Sequence, residues 1–302
     1  MRLPERSRRF LGVPLCAFLL LAGCGTTQNQ PSMATAAPAL IGRDLIYATG
    51  GCGGVCVISY PAGKLEQSIR IGAVLGCDCS DSSGNVFVTA YNAVLEYAHG
   101  RKSPIATLRL PGNYASGCSI DPATGNLAVV YSGSGANIAI FPGASGTPTV
   151  YSAAIDSSYC GYDADGDLFV SGYNGHEPAL SELPKGSTSF FLLPVSGNLG
   201  TPGEVQWDGS YITFEAINPV RIFRLRISGS SATIIGTTHL RGDLFFEFQS
   251  WIYGGHVFVP YGQQTNRIGV WAYPKGGEAI TKLTHLPISS RFMGVTISRA
   301  KN

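Results

Sequence analysis

The chain has 302 residues and a formal net charge of +2, and only 13% of its residues are charged. No basic block follows the first nine positions, so the chain lacks the electrostatic pattern of a nucleic-acid-binding protein, which excludes nucleic acid as a main partner. Its 39 Gly, 18 Pro, 14 Tyr and 14 Phe favour turns and strands over helices and predict an all-β chain.

The N-terminal segment predicts export and a lipid anchor. Four arginines precede an apolar stretch over residues 10–21, which is shorter than the roughly 20 residues that a membrane-spanning helix needs. The stretch ends in Leu21-Ala22-Gly23-Cys24, which resembles the bacterial lipobox, where cleavage leaves a diacylglyceryl-modified Cys. Residues 1–23 are therefore predicted to be a signal peptide, with Cys24 as the lipidation site. The alternative is an ordinary signal peptide.

The predicted anchor also determines the expected surroundings. Residues 24–40 have the small and polar composition of a flexible tether. The partner is then a membrane, reached through the lipid, and the location is the bacterial cell envelope, at the outer membrane or facing the periplasm. Residues 41–302 are predicted to be one domain, because a repeat fills them.

This repeat predicts a propeller. An apolar strand, a tight turn and a second apolar strand recur, with a turn glycine at Gly84, Gly125, Gly166, Gly209 and Gly255. The intervals are 41, 41, 43 and 46 residues, and one further unit begins near Asp44. A period in the forties with four short strands per unit is typical of β-propeller blades, so the fold class is an all-β, six-bladed β-propeller.

The two ends of the chain predict how the ring closes. The first unit lacks the innermost strand that precedes the turn in the later units, whose copy in the last full unit is placed at 246–249. A spare copy, Gly294 to Ser298, aligns position by position with Gly117 to Asp121. We therefore expect the C-terminal strand to complete the first blade and leave no unpaired edge inside the ring.

The turn motif carries a family resemblance. Asp-x-x-Gly-Asn followed by Val-Phe-Val, with an aromatic-Pro-x-Gly segment later in the unit, resembles the NHL-repeat, streptogramin-lyase and gluconolactonase-like propellers. The resemblance implies two chemistries: a His with acidic residues around a metal in the lyases, and Glu, Asn and Asp ligands at the channel in the lactonases. Its motifs describe blade geometry better than activity.

The sequence shows no recognisable pattern of catalytic or metal-binding residues. The five histidines share no position in the repeat, namely His99, His176, His239, His256 and His285. Asp163, Asp165 and Asp167 alternate as in a calcium loop, but they occupy an ordinary hairpin turn. Three glutamates are candidate channel carboxylates, expected to be solvated: Glu204, Glu215 and Glu247. No catalytic residue, metal site or cofactor is predicted, and the expected function is ligand or protein binding without catalysis; the alternative is a metal-dependent lyase or lactonase.

A tyrosine recurs in the loop after the second strand of four units, and it predicts a ligand site. Tyrosine combines a stacking surface with one hydroxyl, which suits carbohydrate and peptide ligands. The alternative is that these tyrosines pack between blades. The predicted ligand-binding residues are Tyr91, Asn92, Tyr131, Tyr173, Asn174 and Tyr261, and the partner is a protein, peptide or carbohydrate.

Six cysteines beyond Cys24 are disulfide candidates: Cys52, Cys56, Cys77, Cys79, Cys118 and Cys160. An even number in an exported chain favours oxidation. Cys118 and Cys160 match in position within their units. We expect one local bond between Cys52 and Cys56 and at least one bond between neighbouring inner strands.

Overall fold

A computed structural model describes residues 40, 42–72, 74–132, 137–242, 244, 249–261, 267–283 and 292–301. The predicted signal peptide, the lipidation site Cys24, and the tether up to residue 39 lie outside the described residues and stay predictions. Within the described residues, no helix is long and apolar enough to cross a bilayer.

Six antiparallel sheets form a ring of blades, as the repeat predicted. We label the four strands of each blade A to D from the channel to the rim. In this order the strands are Gly294–Ser298, Leu45–Thr49, Gly54–Ser59 and Leu65–Arg70 in blade 1; Val74–Ser80, Val86–Ala90, Ala93–Tyr97 and Ala106–Arg109 in blade 2; Asn113–Ile120, Leu127–Ser132, Ile138–Phe141 and Thr149–Tyr151 in blade 3; Asp156–Tyr162, Leu168–Asn174, Glu177–Leu183 and Phe191–Leu193 in blade 4; Pro202–Trp207, Ile212–Ile217, Val220–Ser228 and Ser231–Arg241 in blade 5; and Trp251–Tyr253, His256–Pro260, Ile268–Ala272 and Thr281–Leu283 in blade 6.

Three short elements supplement the blades. Val195–Ser196 and Gly277–Glu278 each pair in parallel with the outer strand of blade 5, and Pro142–Ala144 forms a 3₁₀ turn. The outer strand of blade 5 is therefore covered along part of its edge, which limits pairing with other chains.

The predicted closure is confirmed. The C-terminal strand pairs antiparallel with strand B of blade 1, from Leu45 opposite Ser298 to Thr49 opposite Gly294. All five of its residues are buried. The ring is thus completed by two segments from opposite ends of the chain, as the missing first strand and the spare last strand implied.

The core lies between the blades, and it explains why strand B is mostly apolar. In blade 2, Val86 and Val88 pack against blade 1, whereas Phe87, which points to the other side of the same strand, packs against blade 3. Successive strand residues face opposite sides of a sheet. Both sides of a blade are covered by its neighbours, so strand B is buried along most of its length in every blade.

Turn chemistry fixes the hairpins between strands A and B. The Oδ1 atom of Asp163 accepts hydrogen bonds of 2.9 Å from the backbone N–H groups of Asp165, Gly166 and Asp167. Gly166 has φ = +89°, a conformation that favours glycine. This carboxylate therefore holds its own turn, which is the ordinary use of Asp at such a position.

The inner strand of blade 6 differs from the sequence prediction, which placed it at 246–249. The structure pairs Trp251 to Tyr253 with strand B, and Tyr253 lies opposite His256 across the Gly254-Gly255 turn. Because this turn has only two residues, the inner strand ends directly before Gly254. It therefore lies later in the sequence than the alignment with the other blades predicted. Residues 245–248, including Glu247, lie outside the described residues.

Candidate functional site

The blades create two different faces. The turns between strands A and B and between strands C and D lie on one face, which we call the turn face. The loops between strands B and C lie on the opposite face with the connections between blades, as shown by the 2.8 Å hydrogen bond from Tyr114 N to Tyr91 O. Leu40, the first described residue, is buried against Gly100 of a C–D turn, so this residue lies on the turn face.

A cavity of about 260 Å³ opens where the channel meets the turn face. Each blade contributes to its lining, from blade 1 to blade 6 through Ile297, Ser80, Ser119, Tyr162, Trp207 and Trp251. We call this cavity the channel pocket. Its volume is slightly below the range of typical ligand pockets, which begins at about 300 Å³, so it suits a small ligand.

Four aromatic side chains line the channel pocket: Tyr162, Trp207, Trp251 and Tyr253. Tyr162, Trp207 and Tyr253 are the last residues of strand A in blades 4, 5 and 6. Because the A strands end around the channel mouth, residues that are distant in sequence meet there. The rings supply apolar surface for a ligand with a flat or aliphatic part.

The rim of the channel pocket is tied to the closure of the ring. The hydroxyl of Tyr253 donates a hydrogen bond of 2.8 Å to Asp44 Oδ2, and Ala300 N donates one of 3.0 Å to Asp44 Oδ1. The guanidinium carbon of Arg299 lies 4.9 Å from the centre of the Tyr253 ring. Asp44, directly before the first strand, and Arg299 of the C-terminal segment therefore hold the aromatic ring of Tyr253 in place.

A buried acid, Glu204, also lines the channel pocket. Its side chain is 4% exposed, and its Oε2 atom has no hydrogen-bond partner among the described residues. Burial, with Glu215 and Asp78 nearby, raises the pKa of Glu204 well above its usual value, although a hydrogen bond from Gln249 opposes this shift. This shift favours the neutral acid form of Glu204.

Two further buried carboxyls lie behind Glu204. Glu215 accepts a hydrogen bond of 2.9 Å from Ser250 Oγ, and burial raises its pKa to about 7. Asp78 is fully buried, neither of its carboxyl oxygens has a partner in the described part of the chain, and burial raises its pKa. The sequence prediction of solvated channel carboxylates is wrong for Glu204 and Glu215, because the surrounding strands exclude water from them.

Two glutamines bind the backbone edges of the inner strands. Gln249 Nε2 donates to Asp78 O over 2.7 Å, and Asp78 N donates to Gln249 Oε1 over 3.0 Å. Gln206 makes the same pair of bonds with Ile252, at 3.1 and 2.8 Å. Each amide replaces the partner strand that an inner edge lacks, so these backbone groups need no ligand.

The predicted disulfides form in part. Cys52–Cys56 is the local bond, and Cys79–Cys118 joins the A strands of blades 2 and 3. The prediction is corrected for Cys77 and Cys160, which are buried thiols.

Cys160 forms no disulfide because the neighbouring inner strand has no cysteine at the position that faces it. The residue of blade 3 that matches Cys79 is Ser119, so Cys160 of blade 4 meets no cysteine there, and its Sγ lies 3.8 Å from Ala128 O. Cys77 donates from Sγ to Ser116 O. Burial raises the pKa of both thiols, which keeps them protonated and unreactive.

The structure does not gather the predicted ligand tyrosines at the channel pocket. Tyr131 is buried in the core between blades 2 and 3, and Tyr261 stacks on Trp271 with ring centres 6.0 Å apart. Tyr91 is 39% exposed on the opposite face, in edge contact with Tyr114. Also beside the B–C loops are Asn92, Tyr173 and Asn174. Their role in binding stays a prediction.

The four histidines that the structure describes lie in different parts of the domain: His99 follows strand C of blade 2, His176 precedes strand C of blade 4, and His239 and His256 lie in blades 5 and 6. His99 Nδ1 lies 2.7 Å from Ser298 Oγ, and its Nε2 lies 3.2 Å from Leu40 O, so this ring ties the first described residue to the C-terminal strand. His285 lies outside the described residues. Where side chains are described, no group of three or more His, Cys, Asp or Glu is arranged to hold a metal ion.

Comparison with known proteins supports the fold alone. No family model matches the chain, and no curated protein matches it. Among solved structures it is similar to a protein of unknown function from Bacteroides caccae, with a TM-score of 0.66, 13% sequence identity, and coverage of 85% of this chain and 99% of that one. At this identity the likeness carries the propeller architecture and no activity.

Proposed function

We propose that this protein is an exported, lipid-anchored propeller of the bacterial cell envelope that binds a small ligand in the channel pocket and performs no chemistry on it. The observation that carries the proposal is the pocket itself, to which all six blades contribute and which combines aromatic walls with a buried acid. Binding sites of this kind pair apolar walls with a few placed polar groups.

The proposed anchor fits this arrangement. Leu40 attaches the tether on the turn face, where the channel pocket also opens. An anchored molecule would therefore carry its pocket and its attachment point on the same face. The proposal that Cys24 bears the lipid rests on the Leu-Ala-Gly-Cys segment alone.

Tryptophan fluorescence tests the pocket directly. The chain has three tryptophans; Trp207 and Trp251 line the channel pocket, whereas Trp271 is fully buried in a core. A panel of small cations, sugars and dipeptides should include a compound that changes the emission saturably. Trp207→Leu should weaken that binding, and Tyr91→Ala on the opposite face should leave it unchanged. The reverse pattern would transfer the site to the B–C loops and refute the proposal.

The alternative of a metal-dependent lyase or lactonase calls for a separate measurement. It rests on the resemblance of the repeat to those families and on the carboxyls at the channel. Metal analysis of the protein purified without chelators discriminates between the two functions. One divalent ion per chain, lost together with binding in Glu204→Gln, would favour the enzyme over the binding module.

A further inference from the structure

The buried acids next to the channel pocket lack a counter-charge. Glu204, Glu215 and Asp78 are each at most 4% exposed. No ion pair of the described residues includes any of them, and each has at least one oxygen without a hydrogen-bond partner in that part of the chain. An uncompensated buried carboxyl is costly, and it avoids the cost by staying protonated.

The pocket walls suit a cation. The faces of Trp and Tyr rings attract ammonium and guanidinium groups through the ring quadrupole, and cages of such rings recognise quaternary ammonium ligands. The guanidinium of Arg299 already lies over one of the four rings, Tyr253, at the rim. Aromatic walls and a carboxyl that has one oxygen without a partner line the same cavity, which is a chemically specific combination.

Building on the proposed function, we infer that the channel pocket binds the ammonium group of a small organic cation, with the aromatic rings around it and Glu204 as its counter-charge. The Oε2 atom of Glu204 would face the ligand. On binding, the Glu204 carboxyl releases its proton to solvent and becomes a carboxylate, so the pair of site and ligand is neutral and the released proton carries the positive charge into solvent.

Of the three buried acids, Glu204 is the one that lines the channel pocket. Burial raises the pKa of the Cys77 and Cys160 thiols and of the Tyr159 phenol and so keeps these groups protonated. Arg299 at the rim is a permanent cation. Glu215 and Asp78 lie farther from the cavity than Glu204 and do not line it. The titratable or charged groups that face Glu204 or the pocket are Cys77, Asp78, Asp81, Tyr159, Cys160, Tyr162, Glu215, Tyr253 and Arg299.

The test is a titration of the full mature protein with choline chloride, tetramethylammonium chloride, putrescine and glucose, followed by tryptophan emission and calorimetry. At least one of the three cations should bind saturably, and more tightly at pH 8 than at pH 6, by up to about tenfold per pH unit for one released proton. Calorimetry in two buffers of different ionisation enthalpy should show that proton release.

Glu204→Gln should weaken cation binding at least about tenfold and abolish its pH dependence, with Glu177→Gln, an exposed residue, as the matched control. If Glu204→Gln does not fold, the proton release of the wild-type protein still decides the inference. Glucose binding without cation binding, or cation binding without proton release, overturns the inference and leaves the binding module standing. Failure of every compound of the larger panel would instead count against the proposed function.

Discussion

Deleting residues 292–302 tests the closure of the ring. The deletion removes a five-residue strand and the buried side chains of Phe292, Val295 and Ile297. About five strand hydrogen bonds contribute roughly 5 kcal/mol, and the three apolar side chains contribute about 6 kcal/mol. The sum of about 11 kcal/mol is comparable to the total unfolding free energy of a typical domain, roughly 5 to 15 kcal/mol. The truncated chain should therefore not fold.

Circular dichroism melting and size-exclusion chromatography measure this outcome. The truncated protein should show no cooperative transition, or aggregate through the exposed edge of Leu45–Thr49. Removing only residues 301–302 is the control and should leave the melting temperature unchanged, because Lys301 is exposed. A synthetic peptide of residues 292–302 should restore the transition. A truncated protein that melts within a few degrees of the full chain would refute the reasoning.

Three further predictions follow from single positions. Ser119→Cys should form a disulfide with Cys160 and raise the unfolding free energy by roughly 2 to 4 kcal/mol, measured by urea denaturation and by mass spectrometry of the unreduced protein; two free thiols would contradict the matching of positions. Burial raises the pKa of Glu215 to about 7 from 4.5, so the folded state loses stability as the pH rises between these values, and Glu215→Gln should stabilise the protein about 3 kcal/mol more at pH 8 than at pH 5; equal effects at both pH values would contradict it. When cells are grown with a fatty-acid probe, the wild-type protein should be labelled and the Cys24→Ser variant should not. An unlabelled wild-type protein would refute the predicted lipid anchor.

The fold could be read from the sequence because its signals are local or repeated. In blades 2 to 5 the turn between strands A and B carries its own Asp and Gly, as in Asp163 to Gly166, and these residues act on the backbone beside them. Strand B is mostly apolar because neighbouring blades cover both of its sides. A missing first strand and a spare last strand then leave one way to close the ring. A disulfide between neighbouring inner strands was also predicted, but the pair that forms it, Cys79 and Cys118, was not.

The channel pocket depended on tertiary structure. Tyr162, Trp207 and Tyr253 are visible in the sequence as strand ends, but only the radius and stagger of the ring decide that they share one cavity. The same holds for Gln249 and Asp78, which are 171 residues apart and hydrogen-bonded across the channel. Burial of Glu204 likewise arises from strands of other blades. Local sequence determines which hairpins form, whereas the desolvation that gives a side chain its chemistry depends on what the distant strands place around it.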